Sequence, residues 1–105
     1  MSESQSTRTV IIQNKQGLHL RPADLLARLA YQFESNIEVE NDGLSVNAKS
    51  VIDLATLGAG PGTELKLSAT GTDAEKAVEA IAELIINFTD EDEEAVDTTE
   101  SESSS

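Results

Sequence analysis

The segment Gln16-Gly17-Leu18-His19-Leu20-Arg21-Pro22-Ala23 is where a loop becomes a helix, and the rest of the fold reads outward from it. Pro22, Leu26, Leu29, Ala30 and Phe33 recur at offsets of 0, 4, 7, 8 and 11 residues, which places one apolar stripe along a helix. Pro22 falls in the first turn, where a missing N–H leaves no helical bond unmade. Gly17 lets the backbone turn sharply just ahead of the only histidine.

Upstream, Thr7 to Gln13 is rich in β-branched residues and reads as a strand with Val10 and Ile12 facing inward. Downstream, Ile37 and Val39 alternate with charged residues in a second strand. Asp42-Gly43 is a tight hairpin turn into a short third strand, Leu44-Ser45-Val46. Ser50 to Leu57 reads as a short apolar helix stopped by Gly58, and Gly60-Pro61-Gly62 as the next turn. Leu65, Leu67 and Ala69 then alternate with polar residues in a fourth strand. Thr72 and Glu75 match a capping box for a last helix, whose buried stripe is Ala74, Ala77, Val78, Ile81, Ile85 and Phe88. The order is βαββαβα, an α+β layout with a four-stranded antiparallel sheet and three helices packed on one face.

Composition narrows the function. A chain of 105 residues supports one modest core, built here from aliphatic side chains because aromatic residues are only 3% and Trp is absent. With no cysteine and one histidine, thiol chemistry is excluded and a metal site is not expected. The net charge is −13, and eight of the twenty acids lie in residues 89–105, which contain no Lys or Arg. Such a balance argues against nucleic acid and against an anionic membrane surface, both of which reward clustered Lys and Arg. No apolar run suits a signal peptide or a membrane span, so a cytoplasmic protein is expected. The expected organisation is a flexible 1–6, a domain over 7–88, and an acidic, serine-rich disordered tail over 89–105.

His19 sits at or near a helix N-cap, where the first backbone N–H groups lack helical partners and the dipole is positive. A phosphoryl group on its ring would meet a ready anion site, with Arg21 close enough to pair with the oxygens. By position alone, the commoner reading of such a histidine is a solvated residue or a partial cap. A hydrolase reading lacks a nucleophile turn around any serine.

Two motifs supply the missing context. Gly17-Leu18-His19-x-Arg21-Pro22-Ala23 and Val46-Asn47-Ala48-Lys49-Ser50-Val51, with Leu57-Gly58 and Gly62-Thr63-Glu64-Leu65 following, resemble the HPr family of histidine-containing phosphocarrier proteins of the phosphoenolpyruvate-dependent phosphotransferase system. The resemblance covers about residues 7–88 and implies that family's open-faced β-sandwich. It implies that His19 accepts a phosphoryl group from phospho-enzyme I through Nδ1, that Arg21 stabilises the charge, and that the group passes to an EIIA-type or other acceptor. Leu18 and Leu20 would flank the ring on a docking face shared with Arg28, Lys49, Val51, Ile52 and Leu54. Ser50 matches the serine modified by an HPr kinase/phosphorylase in some lineages, although Ser50-Val51-Ile52-Asp53 is also a helix-capping signature. The implied protein is a monomeric carrier without a cofactor, rather than an enzyme. A regulatory module controlled through Ser50, without sugar transport, is the alternative. The chain departs from the family pattern in having Leu20 and Asp53 where small residues are common, a thin basic rim, and the acidic tail.

Overall fold

The computed structural model describes residues 4–88; the acidic segment 89–105 and residues 1–3 lie outside them. The elements run β1 Ser4–Ile11, α1 Leu20–Ala30, β2 Asn36–Asn41, β3 Leu44–Asn47, α2 Val51–Ala55, β4 Glu64–Gly71 and α3 Ala74–Ile86. The four strands form one antiparallel sheet in the order β1-β4-β2-β3.

Register places the expected apolar residues side by side. Val10 pairs with Leu65, Val39 with Leu67 and Ile37 with Ala69, and all six are buried. The residues that alternate with them are turned outward, Glu38 on β2 and Glu64 and Lys66 on β4 being exposed and Ser68 half-buried, so the sheet has one core face and one solvent face. Leu26, Ala30, Leu54, Val78, Ile81 and Ile85 close the core from the helices. The hairpin between β2 and β3 is made by Asp42 and Gly43, at φ 52° and 89°, the left-handed pair that the two-residue turn requires. No helix among the described residues is long and apolar enough to cross a membrane.

Three expectations are corrected. The first strand runs over Ser4–Ile11 rather than residues 7–13: Ser4, Gln5 and Ser6 pair with Gly71, Thr70 and Ala69. Backbone pairing with β4 holds this polar stretch where side-chain patterning gives no signal. Helix α1 ends at Ala30, so Phe33 packs from the loop beyond it rather than from the helix. The third concerns the start of α3. Its N-cap is Asp73, not Thr72, and the Asp73 side chain makes no capping bond.

That carboxylate is engaged elsewhere. Asp73 accepts hydrogen bonds from the backbone N–H of Glu34 at 2.9 Å, from that of Ser35 at 3.0 Å, and from the Ser35 hydroxyl. It thereby ties the head of α3 to the turn between α1 and β2. Gly71, two residues earlier, passes so close to Ser35 that a Cβ there would lie 2.7 Å from the Ser35 Cα. The Ser35 hydroxyl bond, then the Glu34 N–H, hold the Asp73 carboxyl below its ordinary range. A depressed folded-state value means a stabilisation that is present above the unfolded value of about 4 and is lost as pH falls through the folded value. Asp73→Asn is therefore expected to lower the thermal midpoint at neutral pH and to flatten the decline in stability below about pH 4. Thermal melts of the two proteins across that range are the check; parallel curves would rule the latch out as an acid-sensitive element.

Candidate functional site

The loop that delivers His19 is clamped at several points. Gly17 N–H donates to the Asn14 carbonyl at 3.2 Å, and the Asn14 side-chain amide donates back to the Gly17 carbonyl at 3.0 Å. Leu18 N–H donates to the Ala59 carbonyl at 2.8 Å. Gly17 has φ 71°, and a Cβ on it would run into the Ala59 carbonyl and lie 2.8 Å from the Gly60 Cα. Only glycine fits that close approach.

His19 is the N-cap of α1. Its backbone is extended, and its carbonyl accepts the first helical bond from Ala23 N–H at 2.9 Å. Its side chain makes no capping hydrogen bond, and no acid lies in the first turn. Pro22 removes one first-turn N–H, leaving those of Leu20 and Arg21 without helical partners at the positive end of an eleven-residue helix. Arg21 is half-buried, and its Nε is enclosed with no hydrogen-bond partner among the described residues. An enclosed cationic donor without an acceptor fits an incoming anion.

His19, Leu20, Arg21, Asp24 and Val51 line one open cleft of about 510 Å³. A hollow of about 600 Å³ elsewhere, lined by Arg8, Lys76, Glu79 and Glu83 among others, brings both charge signs together and contains no histidine.

The second motif forms α2, with Ser50 as its N-cap. The Ser50 Oγ accepts from Asp53 N–H at 3.2 Å, so the hydroxyl works as a helix cap. Val51 is half-buried and faces the cleft, while Ile52 is 69% exposed and Leu20 60%.

The expected docking residues divide. Leu20 and Ile52 are exposed, and Val51 is half-buried. Leu18 and Leu54 are buried, which corrects their assignment to the docking face. In a helix, residues two apart point about 200° from each other, so Ile52 facing solvent turns Leu54 inward. Leu18 precedes the helix and is drawn into the core by its bond to Ala59. Lys49 is committed to the loop after α1: its Nζ donates to the Phe33 carbonyl at 2.8 Å and lies 5.9 Å from the Tyr31 ring centroid. Arg28 is exposed, but its Nε donates to Asp24 at 3.0 Å. Sequence reading missed Asp24 as a cleft residue. Its spacing of four from both Leu20 and Arg28 was the available signal.

Comparison with known proteins gives the family. The family model described as the PTS HPr component phosphorylation site matches residues 6–87. The phosphocarrier protein HPr of Treponema pallidum (strain Nichols) is 39% identical over 85 residues, 81% of this chain and 97% of that protein. The phosphocarrier protein HPr of Borreliella burgdorferi is 41% identical over 81 residues, covering 77% of this chain and 94% of the relative. Among solved structures, an HPr from Bacillus anthracis str. Ames superposes with a TM-score of 0.74 at 36% identity, covering 78% of this chain and 98% of that one. HPr-C-His from Thermoanaerobacter tengcongensis gives 0.73 at 46% identity, covering 76% and 90%. With the βαββαβα fold, the clamped loop and His19 at the helix start all in place, this chain belongs to the HPr family and is a phosphoryl carrier of the phosphotransferase system rather than an enzyme.

Proposed function

We propose that His19 is the residue that carries the phosphoryl group, taking it from phospho-enzyme I and passing it to an EIIA-type acceptor. The observation that carries this reading is the pairing of His19 at the N-cap of α1 with the enclosed, unpartnered Nε of Arg21 in one cleft. In the loading step, the lone pair of His19 Nδ1 forms a bond to phosphorus as the bond from phosphorus to the donor side chain breaks, the donor keeping that electron pair. Unloading runs the same exchange toward the acceptor. Positioning and charge stabilisation supply most of the catalysis in such transfers, and those are what the helix start and Arg21 offer.

The test is incubation with phosphoenolpyruvate and an active enzyme I, followed by intact-mass and fragment-mass spectrometry. One acid-labile phosphoryl adduct on residue 19 is the expected result. An adduct elsewhere, or none while the same enzyme I loads another carrier, would reject the assignment.

The partner-facing surface in this reading is Leu20 and Val51, which line the cleft, with the exposed Ile52 next to Val51 in the chain, since exposed apolar groups beside a site mark contacts. Ile52→Asp is expected to weaken enzyme I binding by about tenfold or more, as burial of an unpaired charge at the contact is costly. The side chain is 69% exposed in the free protein, so its thermal midpoint should hardly move. Titration calorimetry with enzyme I reads the effect, and unchanged affinity would take Ile52 out of the contact.

A further inference from the structure

Leu20, Asp24 and Arg28 follow one another at four-residue spacing, so they form a single row along α1. Leu20 and Asp24 both line the cleft that contains His19 and Arg21. Arg28 completes the row by donating its Nε to Asp24 Oδ2 at 3.0 Å. The Asp24 side chain is 31% exposed and that of Arg28 is 76% exposed. The carboxylate thus stands at the cleft edge while most of its counter-ion remains in water.

Placing an acid in a cleft meant for a phosphoryl group has a cost. The first turn of α1 contains no acid, and Arg21 contributes a cation, so the helix start and Arg21 both favour negative charge in the cleft. Asp24 opposes it, and Arg28 offsets Asp24. As an ordinary exposed pair four residues apart, Asp24 and Arg28 would affect only helix stability, and weakly. The cleft position of Asp24 gives the pair a second consequence.

We propose that Asp24 sets the electrostatic affinity of the cleft for the phosphoryl group, with Arg28 acting through it as a positioning residue. The inference rests on His19 being the phosphorylated residue. A carrier has to release its group as well as accept it. Interactions that hold the loaded state as tightly as the transition state do not speed transfer onward. Asp24 keeps the loaded state from becoming too stable, and Arg28 keeps the acid from preventing loading.

The test uses the full-length protein with enzyme I at fixed ratios of phosphoenolpyruvate to pyruvate, and reads the phosphorylated fraction at equilibrium by intact-mass spectrometry. At low ionic strength, Asp24→Asn is expected to raise the equilibrium constant for phosphoryl acceptance roughly threefold to tenfold, and Arg28→Ala to lower it by a similar factor. The doubly substituted protein restores the net charge of the pair and should return close to wild type. All of these differences should shrink as salt is raised toward about 1 M, where the screening length falls to about 3 Å. Effects of the same size at every salt concentration would indicate a packing role and overturn the inference. So would an unchanged equilibrium constant in Asp24→Asn while wild type loads on residue 19. Absence of loading in wild type is a different result, and overturns the His19 assignment itself.

Discussion

His19→Ala is expected to acquire no phosphoryl group under conditions that load the wild-type protein to completion. His19 is the only histidine in the chain, so no second imidazole stands in for it. The helix start and Arg21 remain in the variant, and they attract an anion, but neither offers a nucleophile that forms a transferable bond to phosphorus. The loss should therefore be complete rather than graded. Folding should be spared. The imidazole makes no capping bond, the helix is started by the backbone carbonyl of residue 19, and the neighbouring anchor is Leu18, which stays buried. A thermal midpoint close to wild type, together with no adduct by intact-mass spectrometry, is the expected pair of results. An adduct of normal stoichiometry on the alanine variant would show that the group is carried elsewhere.

The largest effect on stability is expected from Gly17→Ala. At φ 71° an L side chain already costs about 1–2 kcal/mol. The added Cβ would also press on the Ala59 carbonyl and the Gly60 Cα, both backbone, so neither can swing aside as a side chain would. Overpacking of this kind typically costs a further 1–3 kcal/mol or so. A total of about 2–5 kcal/mol corresponds to a fall of more than about 10 °C in the midpoint of a domain this size. Gly58→Ala is the matched comparison: φ is 68°, but nothing lies within 4 Å of the new Cβ. It should lose only the conformational part, about 1–2 kcal/mol. Thermal melts of the two variants separate the terms, and equal losses would mean that the approach to Ala59 and Gly60 carries no strain. Because the displaced backbone holds Leu18 next to His19, Gly17→Ala should also slow phosphoryl loading in whatever fraction remains folded.

These two residues differ in how far the sequence reveals them. His19 stands out because it is unique and because Pro22 and the apolar stripe fix where the helix starts. Gly17 signals a turn but not the backbone it touches, since Ala59 and Gly60 come from a turn far along the chain. The docking residues show the same limit. Val51, Ile52 and Leu54 read alike as apolar, and only the helix direction turns Ile52 outward and Leu54 inward. Charge is harder still. Arg28 and Lys49 read as a basic rim, yet one is paired with Asp24 and the other is tied to the Phe33 carbonyl in the loop after α1.

The sequence by itself determined the element order, the core faces and the place of His19 at a helix start. Those follow from local periodicity, two residues in strands and 3.6 in helices, and from turn and cap residues that act on their own neighbours. Tertiary structure alone decided that β1 extends back to Ser4, that Asp73 leaves its own helix to hold Glu34 and Ser35, and that Asp24 joins the cleft. The reason is common to all three. Which partner a polar group finds depends on what distant backbone and side chains the fold brings within about 3 Å, and no local pattern encodes that distance.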